Sequence, residues 1–370
     1  MPGPDPELLK IMQLADEKHA RTPTESFADY RWKRLKELQS FVAARRKVYL
    51  DMNFWIYLRD PSSAPKPEAF QRLCELLSNG VKEGRILCPV SYAVFLELMK
   101  QNPLEQRLAQ ARLMDQLCEG IGIRNPMDTA EIEYLRLLAR HDATLKDMPI
   151  DPVWAPIGHL IHEVYCQSDA LSREVMERYR KVSFDVRWVT RMEYLARRME
   201  GMPVRSATTA ARINIERQTN LRGNKSFDKL FLDELDGILD AMSPHIENSL
   251  KYAAHFVGIE TTGQPMDELE RRWWIRLIRE TVRRDADGQI MPSERISAAL
   301  YTAMRLDDKH LFEQNDLDDI EHSSVAAAYC DVFLTERKFT HILRLPAVQK
   351  VIPRGCSVIS DIDEAISVLS

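Results

Sequence analysis

The feature that most limits what this chain can fold into is the position of its strands. Short strand-like segments occur only towards its two ends, on either side of a long stretch patterned as helix. Towards the start, "KVYLDMNFWIYLRD" (residues 47–60) sets the apolar run Val48–Leu50 before an apolar helix beginning near residue 53. A Pro-rich loop leads to a helix over about 67–79, with Gly80 placed to stop it; "RILCPV" then reads as a second strand and "SYAVFLELMKQ" as a helix opened by Ser91. Towards the end, "DDIEHSSVAAAYC", "RKFTHILRL" and "DIDEAISVLS" read as helices separated by the strands "DVFLT" and "CSVIS". Strands alternating with helices imply parallel pairing, so the expectation is an α/β fold with one parallel sheet flanked by helices and built from both ends.

Residues 1–45 read as a helical N-terminal extension, 46–102 and 311–370 as the two parts of the α/β core, and 103–310 as an inserted domain expected to be almost all helix and to add no strand to the sheet. The net charge of -5 and pI near 6.1 exclude a molecule basic all round, though not a local basic face; residues 173–229 carry 14 Lys and Arg against 7 Asp and Glu. Six scattered cysteines without a C-x-x-C pair exclude a zinc ribbon or disulfide framework and suit a reducing, cytoplasmic setting. No apolar run is long enough to span a membrane.

Acidic residues at the edges of apolar segments are the candidates for chemistry. Asp51, followed by Asn53, stands where a buried strand gives way to a helix. Turn and N-cap preference explains an Asp there, and so does a ligand site, because ligands of open α/β sheets bind at the carboxyl ends of strands. Glu97 interrupts a helix apolar on nearly every face, which is costly unless it lines a cleft, pairs or binds a metal. Asp316, Asp318 and Asp319 open a helix on which Asp319 shares a face with His322, Ser323 and Ala326, while Asp331 and Glu336 bracket the next strand.

In this order the pieces resemble the PIN-domain nucleases, through "VYLDMN", "SYAVFLELM", "DIEHSSVAAAYCDVFLTERKF" and the closing "CSVISDIDEAISVL", over about 45–102 and 312–370. The resemblance implies a Mg²⁺- or Mn²⁺-dependent nuclease, most often an endoribonuclease, with Asp51, Glu97 and Asp319 as its acidic metal ligands. Asp316 is a further candidate ligand, Asp331 or Glu336 a candidate fourth catalytic acid, and Asn53, His322, Thr335, Arg337 and Lys338 candidate substrate contacts. Two positions depart from the family pattern. Met52 follows the first Asp in place of Ser or Thr, and Arg337 stands where the fourth acid is usual. Hard oxygen ligands suit Mg²⁺ or Mn²⁺, and acids that converge raise one another's pKa until a cation sits among them. The expected partner is RNA, with DNA also open. A large insertion suggests restraint, as in a toxin-like or defence effector held by an inhibitory partner or a homo-oligomer. The alternative is a non-catalytic nucleic-acid-binding or scaffold protein on a degenerate PIN fold.

Three further features have plain structural readings. His159 and His162 lack the H-E-x-x-H spacing of a zinc helix and read as ordinary helical histidines. The stripe Arg272, Arg276, Arg279, Arg283 could track phosphates or be the solvated face of an amphipathic helix. The basic segment could equally be an arm over the active site or a solvated face.

Overall fold

Both ends of the chain enter one sheet. The computed structural model describes residues 6–160, 172–199, 211, 213–214, 226–260, 264–285, 287–307, 310–353 and 355–370. Strand β1 (Arg46–Leu50) lies between β2 (Ile86–Leu87) and β5 (Val332–Leu334), and β6 (Ser357–Ile359) flanks β5, giving a four-stranded sheet with every pairing parallel. Val48, Tyr49 and Leu50 stand opposite Val332, Phe333 and Leu334, and all are completely buried. A parallel sheet covered on both faces needs unbroken apolar runs rather than alternation, and these two strands supply them. The remainder is mostly helix, so the fold is mixed α/β with a small parallel sheet.

Gly80 does not stop its helix, which runs over Pro67–Lys82. Its bare Cα instead lets the helix lie against β2, since a methyl group there would stand 2.5 Å from Ile86 Cδ1. The left-handed turn that ends the helix falls to Gly84, with φ of +70°.

Among the described residues, the span 103–310 is mostly helical and adds no strand to the four-stranded sheet, but it holds two short strands that the reading as almost all helix passed over. Residues Ile121–Ile123 (β3) and Trp154–Pro156 (β4) pair antiparallel as a separate two-stranded sheet. A parallel bridge from Gly122 to Val90 also ties β3 to the chain just beyond β2. Gly122 permits this contact, because a Cβ would meet the Val90 carbonyl at 2.8 Å. A strand of three residues is too short to show a period of two, which is why "IGI" gives no strand signal in the sequence.

The N-terminal extension is helical, over Pro6–Ala20 and Phe27–Ala43. Leu35, Leu38 and Val42 of the second helix pack on Leu87 and Ile121, covering the β2 side of the sheet. The first helix lies on the helix Arg173–Val189. Asp185 accepts from Lys18 at 2.8 Å, and the buried Lys181 donates to the carbonyls of Thr22 and Glu25 at 3.2 and 2.7 Å. The described part of the basic segment therefore docks the extension; 200–210, 212 and 215–225 lie outside the described residues. Among the described residues no helix is long and apolar enough to cross a membrane.

Candidate active site

The carboxyl ends of β1 and β5 lie side by side, joined where the Asp51 amide donates to the Leu334 carbonyl at 3.0 Å. Asp51 is therefore next to Thr335 and Glu336, far from them in sequence. It caps the helix Met52–Arg59, with Oδ1 accepting from the Phe54 amide at 3.1 Å, and also accepts from the Thr335 hydroxyl. The capping reading of Asp51 is thus correct, and it does not exhaust the residue. At 5% exposure the carboxyl is raised to about 6 by burial, against the pull of those two hydrogen bonds and of His322.

Two helices complete the cluster. Glu97 comes from Tyr92–Lys100, which Ser91 caps, and Asp319 and His322 come from Gln314–Tyr329, which leads into β5. His322 is 1% exposed and sits at the middle of a hydrogen-bonded chain. Its Nε2 meets Glu97 Oε2 at 3.0 Å, its Nδ1 meets the Tyr49 hydroxyl at 2.6 Å, and that hydroxyl meets Ser91 Oγ at 2.6 Å. Burial works against a charged ring, yet the Glu97 hydrogen bond and the charges of Glu97, Asp319 and Asp51 outweigh it and hold His322 above its ordinary range. When the ring is protonated it donates from both nitrogens, and Tyr49 then accepts from His322 and donates to Ser91. Burial also pushes Glu97 up, but His322 and Lys100 more than reverse this and leave it below the usual carboxylate range.

Asp319 has no such relief. Burial raises it to about 7; His322 pulls it down, and the charges of Glu336, Glu97 and Asp51 push it up. These mutual influences place Asp51, Glu97, Asp319, Glu336 and His322 in one electrostatic cluster, the region the sequence singled out. Tyr49 and the hydrogen-bonding role of Ser91 were not legible there, because a strand tyrosine reads as core and a serine before a helix as a cap.

Other expected site residues lie elsewhere. Asp331 is a correction: it precedes β5 and so stands at the amino end of the strands, where it accepts from the Lys47 amide at 2.7 Å and pairs with Lys47 Nζ at 2.9 Å. Asp316 is engaged away from the cluster, in a capping box with Glu313 and in ion pairs with Lys338 and, at 3.1 Å, with His310. Lys338 is thereby committed to Asp316. Asp318 is buried against Lys100 Nζ at 2.5 Å. Asn53 and Arg337 are exposed beside the site residues Asp51 and Glu336.

The remaining candidates follow their structural readings. His159 is fully buried, its ring 5.1 Å from that of Phe184, and His162 lies outside the described residues. Of the arginine stripe, Arg272 pairs with Glu268, Arg279 with Asp236 and Arg283 with Glu280, as on a solvated amphipathic helix.

The donors at the sheet end are carboxylate oxygens with one imidazole, a set suited to a hard divalent cation. Among the described residues, however, no three His, Cys, Asp or Glu side chains are already gathered to hold a metal ion, and Glu97 is turned to His322. The chain matches no family model, no curated protein and no solved structure.

Proposed function

We propose that the protein is a metal-dependent endoribonuclease on a PIN-like core, with Asp51, Glu97 and Asp319 holding Mg²⁺ or Mn²⁺ and Glu336 as the fourth acid. One observation carries this reading: the buried Asp51 and the partly buried Asp319, at the carboxyl end of a parallel sheet and raised to about 6 and about 7, share a cluster with further acids. Such an arrangement repels itself unless protons or a cation enter it. The chemistry the cation supplies is a more acidic bound water and charge stabilisation at the leaving oxygen. Thr335 orients the Asp51 carboxylate. His322 holds Glu97 and offers positive charge to a phosphate, while exposed Asn53 and Arg337 are placed to meet the substrate backbone. RNA is the favoured substrate by resemblance alone, and DNA is the second arm of the assay. On this reading the core extends to β3, and the inserted helical region, from about 126 onward, restrains access in the manner of a toxin-like or defence effector awaiting an inhibitory partner or a second copy.

A second reading, a non-catalytic nucleic-acid-binding or scaffold protein, is favoured by the engagement of Glu97 with His322 and by Arg337 in place of an acid. The two diverge in one assay: cleavage of a mixed RNA pool, and of DNA, with Mn²⁺ or Mg²⁺. Nuclease function predicts metal-dependent cleavage that Asp319→Asn abolishes. Retained nucleic-acid binding without cleavage by the wild type would favour the second reading.

A further inference from the structure

Asp51, Glu97 and Asp319 come from three separate elements, and one buried chain of hydrogen bonds ties those elements together. Asp51 directly follows β1, Glu97 lies on the helix Tyr92–Lys100, and Asp319 lies on the helix Gln314–Tyr329. Tyr49, two residues before Asp51, meets Ser91 Oγ and His322 Nδ1 through its hydroxyl, both at 2.6 Å. Ser91 caps the Glu97 helix by accepting from the Val94 amide at 3.3 Å. His322 follows Asp319 by about one helical turn, and its Nε2 meets Glu97 Oε2 at 3.0 Å. The chain therefore leaves the Glu97 helix at Ser91, crosses β1 and the Asp319 helix, and returns at Glu97.

Tyr49, Ser91 and His322 are all buried, so water does not stand in for a lost link. Apolar side chains would hold the three elements in contact equally well. A closed loop of directional bonds adds something that packing does not, a fixed rotation and spacing of each element against the others. The loop also leaves the cation a ligand. Among the described residues Glu97 Oε1 has no hydrogen-bond partner, so His322 holds one oxygen of the carboxylate and the other stays open. Carboxylates that ligate metals are themselves hydrogen-bonded in this way, and loss of such an outer partner costs about 10–100-fold in metal affinity.

We propose that Tyr49 is a positioning residue: touching neither cation nor substrate, it sets the spacing of Asp51, Glu97 and Asp319 through Ser91 and His322. The proposal rests on the reading of these acids as a metal site and names what holds them in place. On it, the engagement of Glu97 with His322 orients a ligand.

The test is titration of the full chain with Mn²⁺, followed by the electron paramagnetic resonance signal of the free ion. Tyr49→Phe keeps the ring in the core and removes the hydroxyl that two of the three links share. It is expected to weaken Mn²⁺ binding about tenfold. Ser91→Ala breaks the outer link alone and is expected to weaken binding by less, which keeps the test open if Tyr49→Phe does not fold. The control is Tyr329→Phe, which removes a phenol bonded to Glu133 away from the sheet end. It is expected to lower the melting temperature and leave Mn²⁺ affinity unchanged. Thermal melts of all three variants check that they fold. Wild-type affinity in both Tyr49→Phe and Ser91→Ala, or an equal loss in Tyr329→Phe, overturns the proposal and leaves the metal site standing. Absence of Mn²⁺ binding by the wild type overturns the metal site itself, and the proposal with it.

Discussion

Glu133 and Glu294 meet among the helices, 2% and 6% exposed, as deeply buried as Asp51 at the end of the sheet. Around Glu133 the fold has gathered donors: the Ser293 amide at 3.1 Å, the Ser293 hydroxyl at 2.9 Å, and the Tyr329 hydroxyl. Burial and the neighbouring Glu133 push Glu294 well above the carboxyl range, so it stays protonated and bonds to its partner. That pair settles its charge internally. At the sheet end, Asp319 meets the charges of three other acids, with the buried His322 as the main opposing charge. One cluster is built to hold a proton permanently; the other is left in want of positive charge. Burial of acids alone therefore does not mark a site, whereas several acids that repel one another with one opposing charge among them do.

The largest effect that would break this contrast is at Glu133. Glu133→Leu leaves the Ser293 amide and the Tyr329 hydroxyl without an acceptor, while the Ser293 hydroxyl keeps Glu294 Oε2 at 2.9 Å, and is expected to cost about 3–5 kcal/mol of stability in urea unfolding. Glu294→Gln can still donate to Glu133 and is expected to cost under about 1.5 kcal/mol. A mild Glu133→Leu would mean the pair is not a structural unit.

A smaller effect, of opposite character, is expected from pH. The raised Asp51 and Asp319 keep protons in the folded chain that the unfolded chain releases near 3.8. Their contribution to stability is fully present below about pH 4 and is lost as pH rises through about 6 and 7. His322, raised above its unfolded value, acts in the same direction. Without metal, the urea midpoint should therefore fall between pH 5 and pH 8, and fall less in Asp319→Asn. An identical slope in the two proteins would show that Asp319 is not raised.

The smallest effect is expected at Asp331, which lies at the other end of its strand. Because its partner Lys47 is partly exposed, Asp331→Asn should cost at most about 1 kcal/mol and leave RNA cleavage within about twofold of the wild type. A loss of cleavage comparable to that of Asp319→Asn would contradict the assignment of the site to the carboxyl end.

These same residues show how far the sequence could be read. The apolar runs ending in Asp51 and Thr335 are visible because buried parallel strands admit no polar position, and Glu97 is visible because it breaks an apolar helix. Asp331 was separable in principle, since a residue before a parallel strand lies at the end opposite the ligand crevice. Asp316 was not: it is one turn from Asp319, and only the ion pairs with Lys338 and His310 show where it is spent. Tyr49 and Glu133 gave no local signal, because their partners lie 42 to 273 residues away along the chain. β3 was hidden by its length.

The account turns on whether the sheet-end acids take up a cation, and thermal melting with and without Mn²⁺ at pH 7.5 asks this directly, wild type against Asp51→Asn. Asn serves as well as Asp in capping the helix Met52–Arg59, so the variant should fold, and relief of repulsion should leave its metal-free melting temperature equal to or above that of the wild type. A ligand stabilises only the state that binds it. The account predicts a Mn²⁺-dependent rise in the wild type that is largely lost in Asp51→Asn. An equal rise in both proteins, or none in the wild type at millimolar Mn²⁺, would contradict it.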